Sequence, residues 1–209
     1  MSSQYREDIE FVYRKRQAWG VFHKHKQFIL NSNISIKKRL RFFDSCVTPT
    51  MLFSLSVLPI SKSKLKELDQ LQRKMIRRII GWRRISDENW KSTMSRMKIR
   101  MENARIQYDY EDWSVKYAKN IWNYAIHLSK MNNSHWGRLL TLDCQTQKFD
   151  PFSPYIPYRP PGRPRLRWDD HLRAFFDRIF PHSDLHWMYL LESACSFGFE
   201  TYFIRFVIK

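Results

Sequence analysis

The sequence predicts a mainly α-helical protein: a basic helical bundle, then a proline- and arginine-rich connector, then short C-terminal helices. Three observations carry that reading. Apolar residues recur at steps of three and four along most of the 209 residues, and only 5 glycines interrupt them. Six of the 9 prolines (Pro151, Pro154, Pro157, Pro160, Pro161 and Pro164) crowd into residues 150–164. A period near 3.6 marks helices that bury one stripe, and a run of prolines removes amide donors and breaks helices. With 43% apolar and 16% aromatic residues, the chain has enough packing groups for a real core. The expected division is 1–85, 86–149, 150–167 and 168–209.

The first helix is expected over residues 7–30. Ile9, Val12, Ala18, Val21, Phe22, His25 and Ile29 tend to one side, and Arg14, Lys15, Arg16, Lys24 and Lys26 cover much of the rest. Asn31 to Asn33 reads as a turn and Ser35 as an N-cap, because its hydroxyl can accept a first-turn amide. Ile36, Leu40, Phe43 and Val47 then step by four, three and four. Lys37, Lys38, Arg39 and Arg41 read as lying off that stripe, and Pro49 is expected to stop the helix. Residues 51–60 are an apolar run, expected to be buried.

Ser61 or Ser63 caps the next helix, which carries Leu65, Leu68, Met75, Ile76, Ile79 and Ile80 and ends at Gly81. Its polar face holds Lys64, Lys66, Arg73, Lys74, Arg77 and Arg78, with Arg83 and Arg84 beyond. Asp87 is expected to cap a fourth helix whose stripe is Trp90, Met94, Met97, Met101 and Ala104. Trp113, Tyr117, Ile121, Tyr124 and Leu128 mark a fifth, ended by Asn132 to His135, and residues 136–149 read as less regular. After the connector come two short helices, marked by Trp168, Leu172, Phe175 and Ile179, then by Trp187, Leu190, Leu191 and Ala194. An aromatic and apolar stretch closes the chain.

The formal charge is +17. So large an imbalance repels itself unless it meets a polyanion, which points to nucleic acid or an anionic membrane surface. No run of some 18 apolar residues spans a bilayer, and the first residues do not read as a secretory signal. Cys46, Cys144 and Cys195 are odd in number and scattered, as expected of reduced, buried thiols in a nuclear or cytoplasmic protein. RNA or DNA is therefore the expected partner, and no membrane is.

Within the connector, Arg159-Pro-Pro-Gly-Arg163-Pro-Arg165-Leu-Arg167-Trp-Asp-Asp170 is a stiff ribbon. Its prolines hold the backbone extended, so the arginines project from a strap with little ordering entropy left to lose on binding. A Gly-Arg-Pro followed by Arg-Trp-Asp resembles the C-terminal tail of LINE-type (non-long-terminal-repeat) retrotransposon reverse transcriptases. Other landmarks are similar to that family in the same order. They are Arg16-Gln-Ala18-Trp19-Gly-Val-Phe22, Lys37-Lys-Arg-Leu-Arg-Phe-Phe43-Asp44, Val47-Thr-Pro49-Thr-Met-Leu52-Phe53 and the helix from Leu68 to Gly81. Trp90, Trp113, Trp122, His127, residues 136–140 and the closing Phe206-Val207 complete the series. The resemblance runs from about Tyr5 to Val207. It departs at Phe53, where the family has tyrosine, and at Ser54 to Val57, which hints at a degenerate copy.

The resemblance implies the helical thumb and C-terminal linker of an RNA-directed DNA polymerase, without fingers and palm. Two-metal polymerisation needs carboxylates converging from palm strands. The only adjacent aspartates, Asp169 and Asp170, open a helix and are expected to cap it. No catalytic or metal residue and no cofactor is therefore expected. Cys144, His171, His182 and His186 lack the short paired spacings of a zinc site, and His23 and His25 point about 200° apart on a helix. Binding chemistry remains. Lys37, Lys38, Arg39, Arg41, Arg73, Lys74, Arg77, Arg78, Arg83, Arg84, Arg163, Arg165 and Arg167 are expected to contact phosphates of RNA template or DNA. Most aromatics belong to the core, and those beside basic faces can stack on unpaired bases. A palm-containing reverse transcriptase polypeptide is the second partner the resemblance implies. The alternatives are a retroelement remnant without a task and a helical protein-interaction scaffold.

Overall fold

The computed structural model describes residues 3–58, 60–81, 84–143, 168–183, 185–194 and 198–208. Arg83, Cys144, Cys195 and the connector with Arg163, Arg165 and Arg167 lie outside them. Among the described residues every regular element is helical and no strand occurs, as the apolar stripes require. The chain divides into two units, residues 1–117 and 118–209.

The first unit holds α1 (Ser3–Lys24), the single turn α2 (Lys26–Ile29), α3 (Ile36–Leu52), a 3-10 turn (Leu55–Val57), α4 (Lys62–Ile80), α5 (Trp90–Tyr108) and the start of α6 (Trp113–Ser129). α1 lies along α3, α3 against α4, and α4 against α5. Phe11, Ala18 and Phe22 form the buried face of α1, whereas Ile9 and Val12 are 52% and 54% exposed. The expected stripe is thus corrected at its start: Phe11, not Ile9, is in phase with Ala18 and Phe22 at steps of seven and four.

α3 buries Leu40, Phe43, Val47 and Met51 on the expected phase. It does not stop at Pro49 but runs on to Leu52. A proline inside a helix forfeits one amide bond; here the carbonyl left over belongs to the exposed Ser45, where water can satisfy it. The Pro49 carbonyl still accepts the Phe53 amide at 2.9 Å. Of the run from 51 to 60, Met51, Leu52, Leu55 and Ile60 are buried, but Phe53 and Val57 are exposed.

Ser61 is the cap of α4, its Oγ accepting the Lys64 amide at 3.5 Å. Gly81 ends the helix at φ 86°, a left-handed conformation that a Cβ disfavours. Asn89 starts α5 in place of Asp87: its Oδ1 accepts the Ser92 amide at 2.8 Å, while Asp87 sits in the preceding turn. Thr93, Met97 and Ala104 are buried along α5, but Trp90 and Met94 are exposed.

α6 is capped from α4. Gln72 Oε1 accepts the Trp113 amide at 2.9 Å, and Asp69 accepts both the Ser114 amide (2.9 Å) and hydroxyl (2.7 Å). These side chains satisfy donors that a helix start leaves without intrahelical partners. Burial raises the Asp69 carboxyl above its usual range, and the two Ser114 hydrogen bonds oppose that rise. Trp113 is fully buried and stacks on Phe43 with centroids 5.8 Å apart; its Nε1–H donates to Thr48 Oγ1 at 2.8 Å.

The second unit continues α6 and adds α7 (Trp136–Asp143), α8 (Asp170–Ile179), α9 (Trp187–Ala194) and α10 (Phe199–Ile208). α7 is regular helix where less regular chain was expected. α8 packs against α9 and α10. Trp122 anchors the core against Phe175 (6.1 Å), Phe176 (6.3 Å) and Phe203 (5.2 Å). Arg138 is buried. Its Nη1 donates to the Ser129 and Met131 carbonyls at the end of α6, and Nη2 reaches Glu192 at 3.2 Å. Asp169 occupies the cap position of α8 without making a cap bond. Its buried carboxylate instead accepts from Trp187 Nε1 (3.2 Å) and Arg173 Nε (3.3 Å), so the expected cap is a cross-link between α8 and α9.

His186 closes this cluster. Its Nδ1 accepts the Met188 amide at 3.0 Å, so the proton sits on Nε2, which is buried without a hydrogen-bond partner among the described residues. Burial, then the Arg173 cation, hold the imidazole down to about 4 from its ordinary 6.5, with Asp169 opposing them. Between those two values the unfolded chain takes up the proton and the folded unit does not. Stability is therefore lost as pH falls through this window. Replacing His186 with Asn keeps an acceptor for the Met188 amide but removes the titration. Thermal melts at pH 7 and pH 5 are expected to differ less for the variant than for the parent; an equal difference would exclude His186 as a source of the acid sensitivity.

Candidate nucleic-acid interface

The end of α4 is held by two arginines, one from the start of α3 and one from α5. Arg39 Nη1 donates to the Ile79 carbonyl at 2.7 Å, and Arg100 Nη2, from α5, donates to the Ile80 carbonyl at 2.9 Å. Carbonyls at a helix C-terminus lack intrahelical donors and carry the negative end of the dipole, so two guanidinium groups there are favourable. The pairing brings the backbone at the start of α3, which carries Lys37, Lys38 and Arg41, to the end of α4, whose last turns carry Lys74, Arg77 and Arg78.

Arg39 departs from its expected role. It is 7% exposed, its Nη1 is committed to Ile79, and its Nε has no hydrogen-bond partner among the described residues. Burial, then the neighbouring Arg100, lower its guanidinium below the ordinary value, with Tyr108 opposing them. Such a group organises the cationic end from beneath and is not presented to a ligand. Lys37, Lys38, Arg41, Lys74, Arg78 and Arg84 are exposed, and Arg77 is half-buried. Among the described residues, no carboxylate lies within ion-pair distance of Lys37, Lys38, Arg41, Lys74 or Arg84. Arg73 is different: it faces Asp112 at 3.9 Å, a carboxylate it shares with Arg105 at 3.3 Å.

Elsewhere in the unit some cations are matched, while exposed Arg16, Lys24, Lys26, Lys62, Lys66, Lys91 and Lys98 have no carboxylate within ion-pair distance among the described residues. Glu10 holds Arg14 at 2.6 Å, Glu67 holds Lys15 at 2.8 Å, Asp8 pairs with Lys64, and Asp44 with Lys116. Unneutralised cations therefore occur where α3 begins and α4 ends, and also on α1, at the start of α4 and on α5.

Aromatic groups lie beside it. The Arg78 guanidinium sits 4.9 Å from the ring centre of half-buried Trp19 on α1. Trp19 in turn stacks on exposed His23 at 5.6 Å with 24° between planes. A shallow groove of about 320 Å³ opens near the same end, with Ile36, Ile80, Arg100, Asn103, Gln107 and Tyr108 in its lining. Arg100 and the pairing of Trp19 with Arg78 were not singled out from sequence, and His23 was weighed there only as a metal ligand. A signal for Arg100 exists, because it follows Met97 by three residues and precedes Ala104 by four.

No family model, curated protein or solved structure matches this chain. Among the described residues, no group of three or more His, Cys, Asp and Glu side chains is placed to hold a metal ion, and no helix is long and apolar enough to cross a membrane.

Proposed function

We propose that this chain binds nucleic acid through phosphate contacts, in the manner of the thumb and C-terminal linker of a LINE-type reverse transcriptase. One observation carries the reading: Arg39 joins the start of α3 to the end of α4, and Lys37, Lys38, Arg41, Lys74 and Arg84 on or just beyond these segments are exposed with no carboxylate within ion-pair distance among the described residues, in a chain whose formal charge is +17. Cations so placed follow a sugar-phosphate backbone and read no base edges. Lys37, Lys38, Arg41, Lys74, Arg77, Arg78 and Arg84 provide the grip; Arg83, Arg163, Arg165 and Arg167, outside the described residues, are proposed as further phosphate contacts. RNA template and DNA product are the ligands, and a palm-containing polypeptide supplies the bond-making carboxylates.

Phosphate binding releases counterions, so affinity is expected to fall steeply with salt. On duplex DNA the slope of log affinity against log salt is about −0.9 per phosphate neutralised. Fluorescence anisotropy of the purified chain with a labelled oligonucleotide at several salt concentrations measures it. A flat salt response, or no complex at low salt, overturns the reading. The scaffold alternative then gains from the exposed Ile9, Val12 and Tyr13 on the outer side of α1.

A further inference from the structure

We infer that the interface takes a single-stranded polynucleotide, with an unpaired base stacked on the column formed by His23, Trp19 and Arg78. This inference rests on the nucleic-acid reading and adds the state of the ligand. Exposure and stacking geometry carry it. Trp19 has one edge against buried Phe22, at 5.4 Å and 76°, which fixes the orientation of the indole. With His23 stacked beside it and the Arg78 guanidinium over its face, three flat groups from α1 and α4 share one platform. His23 and Arg78 are both exposed and Trp19 is half-buried, so the group is open to solvent.

The surroundings of the column set its polarity. Lys15 and Trp19 on α1 meet Glu67 and Arg78 on α4 through their side chains. At one end, Asp8 and Glu67 are occupied by Lys64 and Lys15. At the other, Lys74 precedes Arg78 by one helical turn, on the side of α4 that faces Trp19, and is exposed without a carboxylate in reach. Two cations separated by one turn, about 6 Å along the axis, can hold successive phosphates while the base between them turns onto the platform. Duplexes hide base faces inside their own stack. Only an unpaired strand can present a face to Trp19, His23 and Arg78, and stacking accepts any base because each has a π-face.

The decisive comparison uses the intact chain and three probes of equal length at low salt: single-stranded oligothymidine, an abasic single strand, and a duplex. Phosphates are common to all; accessible bases belong to the first alone. Oligothymidine is expected to bind at least about 10-fold tighter than the abasic strand, the range that stacking of one or two bases produces. Trp19→Leu should bring it down to the abasic level, whereas Trp19→Phe should restore most of the difference. Equal affinity for oligothymidine and the abasic strand overturns the stacking site while leaving phosphate binding intact, and that comparison needs no variant to fold. No binding to any probe overturns the underlying reading as well. Oligouridine should match oligothymidine within about threefold, because stacking uses base faces and not the 2′-hydroxyl; a preference beyond tenfold for either sugar would contradict the proposed contacts.

Discussion

Reversing the charge of Lys37, Lys38, Lys74 and Arg84 to Glu is expected to weaken nucleic-acid binding by about 100- to 1,000-fold near 0.1 M salt. Each side chain is exposed and lacks a carboxylate within ion-pair distance among the described residues. No cross-link is broken by the change, and exposed sites of this kind usually shift stability by under about 0.5 kcal/mol. Every phosphate that the variant no longer neutralises should also flatten the salt slope by about 0.9, so four together should remove about 3 to 4 from it. All sequences should be affected alike, because phosphates carry no base identity. Anisotropy titrations of parent and variant at matched salt, with circular dichroism melts as a fold control, measure both quantities. A loss smaller than about threefold with an unchanged slope would place the binding charge elsewhere.

The same four substitutions separate the interface from bulk charge. Reversing matched cations, such as Lys15 beside Glu67 or Lys116 beside Asp44, alters the net charge equally per site. Long-range attraction depends on total charge, but counterion release depends on which phosphates are touched. The first set should change the slope, and the second should change mainly the association rate.

Helical class was legible because packing on one side imposes a regular spacing, and α3 and α4 display it over four or more turns. Errors fell where tertiary burial outweighed a local signal. Pro49 reads as a stop, yet Met51 and Leu52 sit on the buried side of α3 and draw the helix past it. Asp87 and Asn89 are both good caps two residues apart, and only the chain path after Gly81 chooses between them. Ile9 and Phe11 are equally apolar. Which one faces inward is fixed by the phase of Ala18 and Phe22, and a stripe begun from the other residue drifts onto the exposed side.

At the candidate site, a basic residue looks like surface in one dimension, and Arg39 shows the limit of that rule. It stands four residues before Phe43 and next to Leu40, so its place on the inner side of α3 was present in the spacing. What the spacing lacked was the acceptor, since the Ile79 carbonyl is 40 positions away and meets Arg39 only when α3 folds against α4. Trp19 and Arg78 are hidden for the same reason. Their stacking joins side chains of α1 and α4, a relation that no local pattern encodes.

Trp113→Ala is expected to destabilise the first unit by about 4–6 kcal/mol. Truncating a buried tryptophan costs about 3–5 kcal/mol through forfeited packing and the cavity left behind. Here the indole is fully buried and parallel to Phe43, and little around it can collapse because Gln72 and Asp69 pin the adjoining amides of α6. A further cost of about 1 kcal/mol comes from Thr48, whose buried hydroxyl loses the Nε1–H donor. Domains of this size are held by only about 5–15 kcal/mol in total, so the variant should be largely unfolded at 37 °C and should lose nucleic-acid binding with its fold. Trp113→Phe keeps an aromatic face against Phe43 but forfeits the hydrogen bond and some volume, and should cost about 2 kcal/mol. Urea titrations followed by circular dichroism give both numbers from the midpoint and slope. If Trp113→Ala shifted the midpoint by an amount worth less than about 1 kcal/mol, Trp113 would not be the joint that fastens the start of α6 to α3 and α4, and the cationic end would owe its shape to Arg39 and Arg100 alone.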